Sequence, residues 1–206
     1  PSEVPPKLHT TMPASFAGKS VGWVSKVDAH NFKIFYIGTN WEKTSRSRNK
    51  NLRHSGLLEI LGHSGRFRIF GLRRQNGVEL WKGVTGYEGE LPFDGGRSII
   101  EETRRSGVSL VLSSPQHLRS GLVSTIICDR NSFVEEHFDG CVRFFDYGST
   151  VEETADNIML ELDWVNRNWS EAIRMAECAQ RTFLKHFSLE RELSEVCRVA
   201  RADLRK

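Results

Sequence analysis

Phe32-Lys33-Ile34-Phe35-Tyr36-Ile37-Gly38-Thr39-Asn40 is the stretch on which the fold turns. An aromatic and β-branched run closed by a glycine and two turn-forming residues reads as a short buried strand that ends in a loop. The pattern recurs downstream. Arg66-Phe67-Arg68-Ile69-Phe70-Gly71 alternates and again closes on glycine, while Val108-Ser109-Leu110-Val111-Leu112 and Thr125-Ile126-Ile127-Cys128-Asp129 are continuous apolar runs. Val142-Arg143-Phe144-Phe145-Asp146 is a last short strand, and Tyr87 to Phe93 is a short strand or extended loop in which Pro92 argues against a central ladder position.

Helical spacing fills the intervals. Leu52, Leu57, Leu58 and Leu61 recur at helical spacing and stop at Gly62 and Gly65; Arg97 to Arg105 forms a short helix stopped by Gly107; Asn131 to Phe138 makes one or two turns. Trp81 and Val84 fall in a connecting segment. After Thr150 the chain is helical. Thr150 with Glu153 forms a capping box, and Asn168 with Glu171 offers the same device. Val151, Ala155, Ile158, Met159 and Leu162 make one apolar stripe, and Trp169, Ala172, Ile173, Ala176, Ala179, Phe183 and Leu184 another. Ser188 caps a last helix bearing Leu189, Leu193 and Val196. Strands alternating with helices predict an open, mostly parallel α/β sheet flanked by helices, with a helical C-terminal region. Residues 1–31, with four prolines by position 13, read as a linker or part of a preceding region, and 32–206 as the domain.

The 206 residues carry a net charge of +3, split unevenly. Residues 1–124 hold 18 Lys/Arg against 10 Asp/Glu, and residues 125–206 hold 11 against 16. The excess concentrates at Lys43, Arg46, Arg48, Lys50, Arg53, Arg66, Arg68, Arg73 and Arg74, a field that attracts phosphate or nucleic acid, or else a solvated face. Cys128, Cys141, Cys178 and Cys197 form no CxxC and read as reduced, partly buried thiols of a cytoplasmic protein. No HExxH or Cys/His cluster appears, so no metal is expected. No apolar run approaches the roughly 20 residues of a membrane span, and no apolar leader is seen.

Open α/β sheets bind ligands outside the carboxyl ends of their strands, which directs attention to the residues just after each strand. There is no GxGxxG and no GxxxxGK[ST]. Gly38, Thr39 and Asn40, with Arg46 and Arg48 nearby, offer backbone N–H groups, a hydroxyl and charge for a phosphate, or form a plain turn. Residues 113–121 gather His117, Arg119, Ser120 and Gly121; His117 and Arg119 can neutralise a departing diphosphate, the alternative being a surface loop. Asp129 and Glu135 can hold ribose hydroxyls or simply favour a helix dipole.

From about residue 32 to 196 the chain resembles the C-terminal half of a GT-B glycosyltransferase of the CgeB-like, glycosyltransferase-family-1-like type. The closest stretch runs from Asp129 to Val196, DRNSFVEEHFDGCVRFFDYGSTVEETADNIMLELDWVNRNWSEAIRMAECAQRTFLKHFSLERELSEV, supported by FYIGTNW, YEGELPFD and HLRSG. The resemblance implies a Rossmann-like domain that binds a nucleotide-sugar donor, with Gly38, Thr39, Asn40, His117, Arg119, Ser120 and Gly121 facing it. It implies metal-independent sugar transfer to an acceptor hydroxyl without a cofactor, in glycan or polysaccharide synthesis. It also implies a partner, a second Rossmann-like acceptor domain that supplies the general base. The alternatives are a nucleic-acid-binding module using the basic 43–74 region and a degenerate α/β partner-docking domain. The chain departs from the family's pattern in one place. Only 12 residues, 113–124, separate two strands where the family has a helix with an acidic residue. A parallel crossover takes about a dozen residues and usually a helix. The spacing therefore predicts either that these strands are not in-register parallel neighbours or that a segment is absent, and that the acidic ribose ligand is missing or replaced.

Overall fold

The computed structural model describes residues 27–28, 30–40, 54–94, 96–112, 122–187, 193–194, 196–198 and 201. The strands are β1 (Lys33–Ile37), β2 (Phe67–Phe70), β3 (Arg74–Gln75), β4 (Val78–Glu79), β5 (Tyr87–Gly89), β6 (Gly107–Val111), β7 (Thr125–Asp129) and β8 (Arg143–Phe145). The helices are α1 (His54–His63), α2 (Arg97–Ser106), α3 (Ser132–Phe138), α4 (Val151–Arg167) and α5 (Trp169–His186). Six strands form one parallel sheet in the order β5-β2-β1-β6-β7-β8, and β3 and β4 pair as a separate antiparallel hairpin. Renumbered within the sheet, that order is 3-2-1-4-5-6, the doubly wound arrangement, and its direction reverses between β1 and β6. The α/β, Rossmann-like class read from the sequence is therefore the observed one.

Alternation along the strands divides the core between two faces. Ile34, Tyr36, Phe67, Ile69, Val108, Leu110 and Ile127 join Leu57, Leu58 and Leu61 of α1 and Ala155, Ile158, Leu162 and Val165 of α4. Val111, Ile126 and Cys128 join Val134 and Phe138 of α3 and Ala179 of α5. Fully burying a Leu or Ile contributes about 1.5–3 kcal/mol, so these stripes fix which helix covers which face. On the second face of β2 Phe70 packs against Phe35, ring centroids 5.5 Å apart, and beside it Arg68 reaches Glu88 at 2.8 and 2.6 Å, Glu102 at 2.7 Å and Ser106 at 3.4 Å, tying α2 to the β5 edge.

The punctuation is partly as expected. Gly107 stops α2 in a left-handed conformation, φ 89°, its N–H bonded to the Thr103 carbonyl. Asn131 caps α3 through Val134 N–H. Thr150 caps α4 by accepting from Glu153 N–H at 3.1 Å, but the Glu153 carboxylate reaches past it to Ser149 N–H, so the reciprocal half of the box is shifted by one residue. Gly62 lies inside α1 rather than ending it, because its missing side chain lets the Thr85 carbonyl approach: a Cβ there would stand 2.1 Å from that oxygen.

Several sequence expectations are corrected. Asn168 does not cap α5; its amide turns back to the Trp164 carbonyl at 2.9 Å and finishes α4. Leu184, read as buried, is 40% exposed. β6 and β7 are in-register parallel neighbours, pairing Val108 with Thr125 through Val111 with Cys128. The short connection suffices because residues 112–124 span roughly 40 Å when extended, well beyond the length of a five-residue strand. Cys141 and Cys178 are not free thiols but a disulfide, with Cα atoms 5.2 Å apart. They stand 37 residues apart in the chain, and only packing of the turn before β8 against α5 brings them together. Ser188 and the start of the last helix lie outside the described residues.

Candidate functional site at the carboxyl edge of the sheet

The reversal between β1 and β6 opens the crevice in which such sheets take ligands. On the β1 side the loop begins at Gly38, whose N–H donates to the Phe70 carbonyl at 3.1 Å. Gly38 and Gly71 approach so closely that a Cβ on Gly71 would lie 1.9 Å from the Gly38 carbonyl oxygen. Gly38 is itself confined, since a Cβ there would meet the Tyr36 hydroxyl at 2.6 Å. Tyr36 is buried, and that burial, with the neighbouring Tyr147 adding to it, pushes its phenol far above the ordinary range. Its hydroxyl is therefore a neutral group beneath the Gly38 loop at any physiological pH.

Of the residues expected to face a ligand, Gly38 and Thr39 are half-buried at this edge. Asn40 is fully buried; its Nδ2 donates to the Leu80 carbonyl at 2.9 Å and its Oδ1 has no hydrogen-bond partner. The Asn40 amide thus bolts the β1 loop to the β3–β4 hairpin. Asp129 ends β7 in a buried position. Glu135 is ion-paired to Arg130 at 3.3 Å, and Arg130 also binds Asp146 at 3.0 Å while lying over the Phe144 ring at 5.0 Å. Arg46, Arg48, His117, Arg119, Ser120 and Gly121 lie outside the described residues. β6 ends at Val111 and runs parallel to β1, so its carboxyl end lies at the same edge of the sheet as the Gly38 loop.

Of the basic cluster, Arg66, Arg68 and Arg74 are each paired to a carboxylate, with Asp163, Glu88 and Glu79 respectively. Lys43, Arg46, Arg48, Lys50 and Arg53 lie outside the described residues. No group of three or more His, Cys, Asp or Glu able to hold a metal ion occurs among the described residues, and no helix among them is long and apolar enough to cross a membrane.

One feature of this edge escaped the sequence reading. The segment between β2 and β5 carries the β3–β4 hairpin, turned at Asn76 (φ 50°) and Gly77 (φ 80°). Two consecutive left-handed residues make the turn that Asn-Gly favours, and Gln75-Asn76-Gly77-Val78 was the signal for it. Below the hairpin Leu80 enters the core, as do Trp81 and Val84, which the sequence reading assigned only to a connecting segment. The hairpin base and β5 enclose a groove of about 340 Å³ lined by Arg73, Glu79, Trp81, Lys82, Tyr87, Glu88 and Gly89.

No protein-family model and no curated protein matches the sequence. Among solved structures, the chain is similar to sucrose-phosphate synthase from Thermosynechococcus elongatus, with a TM-score of 0.59 at 9% identity, covering 94% of this chain and 50% of that one. It is also similar to TarM, with a TM-score of 0.55 at 10% identity, covering 86% of this chain and 36% of that one. The chain spans half or less of the length of these structures, and the likeness at such identity is one of fold.

Proposed function

We propose that this chain is the donor-binding half of a GT-B glycosyltransferase, holding a nucleotide-sugar whose sugar passes to an acceptor hydroxyl. The observation that carries the reading is the 3-2-1-4-5-6 strand order. Its switch point lies where the β1 and β6 loops depart, and these are the two loops whose composition suits a phosphate. The sequence resemblance and the fold shared with a sucrose-phosphate synthase point the same way. In this reading Gly38 and Thr39 present backbone N–H groups and a hydroxyl to the diphosphate. Arg46 and Arg48 supply charge, and Ser120 and Gly121 complete the facing loop. His117 and Arg119 stabilise the leaving nucleotide electrostatically, the role a metal ion plays elsewhere. Asp129 and Glu135 lie toward the ribose side, Glu135 by exchanging its Arg130 partner for a hydroxyl. The general base that takes the acceptor proton comes from a second Rossmann-like domain. The reaction needs no cofactor, and its products belong to glycan or polysaccharide synthesis.

Calorimetric titration of the chain with uridine, guanosine, cytidine and adenosine diphosphates tests this directly. Saturable binding of at least one, weakened by His117→Ala and Arg119→Ala, is expected. Absence of saturable binding by all four refutes the donor reading.

A further inference from the structure

Asn168-Trp169-Ser170 lies where α4 gives way to α5. Of the chain's nine asparagines, Asn168 alone has Ser or Thr two positions on. In an extended chain that spacing puts the amide and the hydroxyl on one side, the pattern of an N-linked glycan acceptor when the middle residue is not proline. Both Asn168 and Ser170 are exposed in the fold. With φ −123° and ψ 41°, Asn168 forms the corner between the two helices and belongs to neither buried stripe. Its backbone needs nothing from its side chain. The Asn168 N–H donates to the Trp164 and Val165 carbonyls at 2.9 and 3.3 Å, and its carbonyl accepts from Glu171 and Ala172 N–H at 2.9 and 3.0 Å. Nδ2 adds one further bond, to the Trp164 carbonyl at 2.9 Å. A primary amide nitrogen carries two hydrogens, so replacing one leaves the other to keep this bond. The middle residue, Trp169, is half-buried and stacks on Phe32, which leads into β1, with centroids 5.2 Å apart. The corner therefore stands at the amino edge of the sheet, opposite the Gly38 loop, and a bulky group there leaves the donor crevice open. A second observation concerns the compartment. Cys141 and Cys178 are joined, and such crosslinks form and persist in the oxidising surroundings of extracellular and secretory proteins, whose surface asparagines are the ones that carry glycans.

We propose that Asn168 carries an N-linked glycan, added in the oxidising compartment in which Cys141–Cys178 forms. The co-reactant is a polyprenyl-diphosphate oligosaccharide. The bond between C1 of its first sugar and the diphosphate oxygen breaks, C1 bonds to Asn168 Nδ2, and the displaced amide proton leaves with the polyprenyl diphosphate. Nothing is oxidised or reduced. Transfer precedes folding, because the acceptor pattern is read on an extended chain, whereas Trp169 and Ser170 open α5 in the finished fold. The proposal does not rest on the donor reading.

The test is mass spectrometry of the protein isolated from its source cells, after enzymatic removal of N-glycans in heavy-oxygen water. Removal converts a glycosylated asparagine to an aspartate that carries the heavy oxygen, and that label is expected at Asn168. Unlabelled Asn168 overturns the proposal. In parallel the full chain, behind a cleavable secretory leader, is expressed in a eukaryotic host. A mass increase of one glycan is expected in the parent and in Ser170→Thr, with complete loss in Asn168→Gln and Ser170→Ala. Ser170→Ala keeps the Asn168 bond to Trp164, so loss there reports the acceptor pattern and not a disturbed corner. Because the glycan is added before folding, its presence is scored on the total translocated chain, whether or not a variant folds. A glycan that persists in Ser170→Ala, or a parent chain with Cys141–Cys178 joined and Asn168 bare, also overturns the proposal.

Discussion

Replacing Asn40 with alanine separates a ligand contact from a structural bolt. In the fold the Asn40 Nδ2 donates to the Leu80 carbonyl at 2.9 Å in a fully buried setting. That carbonyl can only accept, so the amide orientation is fixed. Asn40→Ala leaves the Leu80 oxygen unpaired, at a cost of about 1–3 kcal/mol. Some of this is returned because the orphaned Oδ1 disappears with the side chain. The net expectation is a loss of about 2 kcal/mol. For this chain it would appear as a lower urea midpoint with unchanged slope, followed by tryptophan fluorescence. Asn40→Asp sharpens the test. A buried carboxylate facing a carbonyl has its pKa raised, and only the protonated acid can donate to Leu80. Its stability is then greatest below the unfolded carboxyl pKa near 4 and falls as pH rises through the raised folded value. An Asn40→Ala variant within 0.5 kcal/mol of the parent, together with a pH-independent Asn40→Asp deficit, would refute the bolt.

Thr150→Ala removes the oxygen that accepts from Glu153 N–H and should destabilise the chain by about 1 kcal/mol in urea, while Thr150→Ser should largely restore it. Reduction of Cys141–Cys178, which closes a loop of 37 residues, should cost up to about 4 kcal/mol and lower the melting temperature. Intact-mass analysis after alkylation without reductant should show Cys141 and Cys178 unmodified; modification of both would refute the crosslink. Burial raises the Tyr36 pKa, so the folded state favours the neutral phenol. That stability is complete below the unfolded value near 10 and is lost as pH climbs toward the raised one. Tyr36→Phe should therefore move alkaline unfolding to higher pH, and an unshifted midpoint would count against a buried phenol.

The strands, their parallel arrangement and the helix stops were legible because they rest on local physics. Ile126-Ile127-Cys128 can satisfy its backbone and hide its side chains only inside a sheet, and Gly107 ends α2 because it alone adopts φ 89° without strain. The switch-point loops followed from topology, so Gly38 and Thr39 could be named as candidates in advance. The role of Asn40 could not, because its partner Leu80 is 40 residues away and is brought near only when the hairpin base enters the core. The same holds for Cys141 with Cys178, and for the Arg130 contacts that occupy Glu135. The hairpin was written locally in Asn76-Gly77, but the groove below it was not. Arg73, Lys82 and Tyr87 come from separate segments, and their chemistry converges only after β2 and β5 have paired. Sequence alone determined the six strands of the main sheet, the helix signals at Thr150 and Gly107 and which loops lie at the carboxyl edge, since each depends on near neighbours. Tertiary structure decided which polar groups remain free to meet a ligand, because that depends on partners distant in the chain.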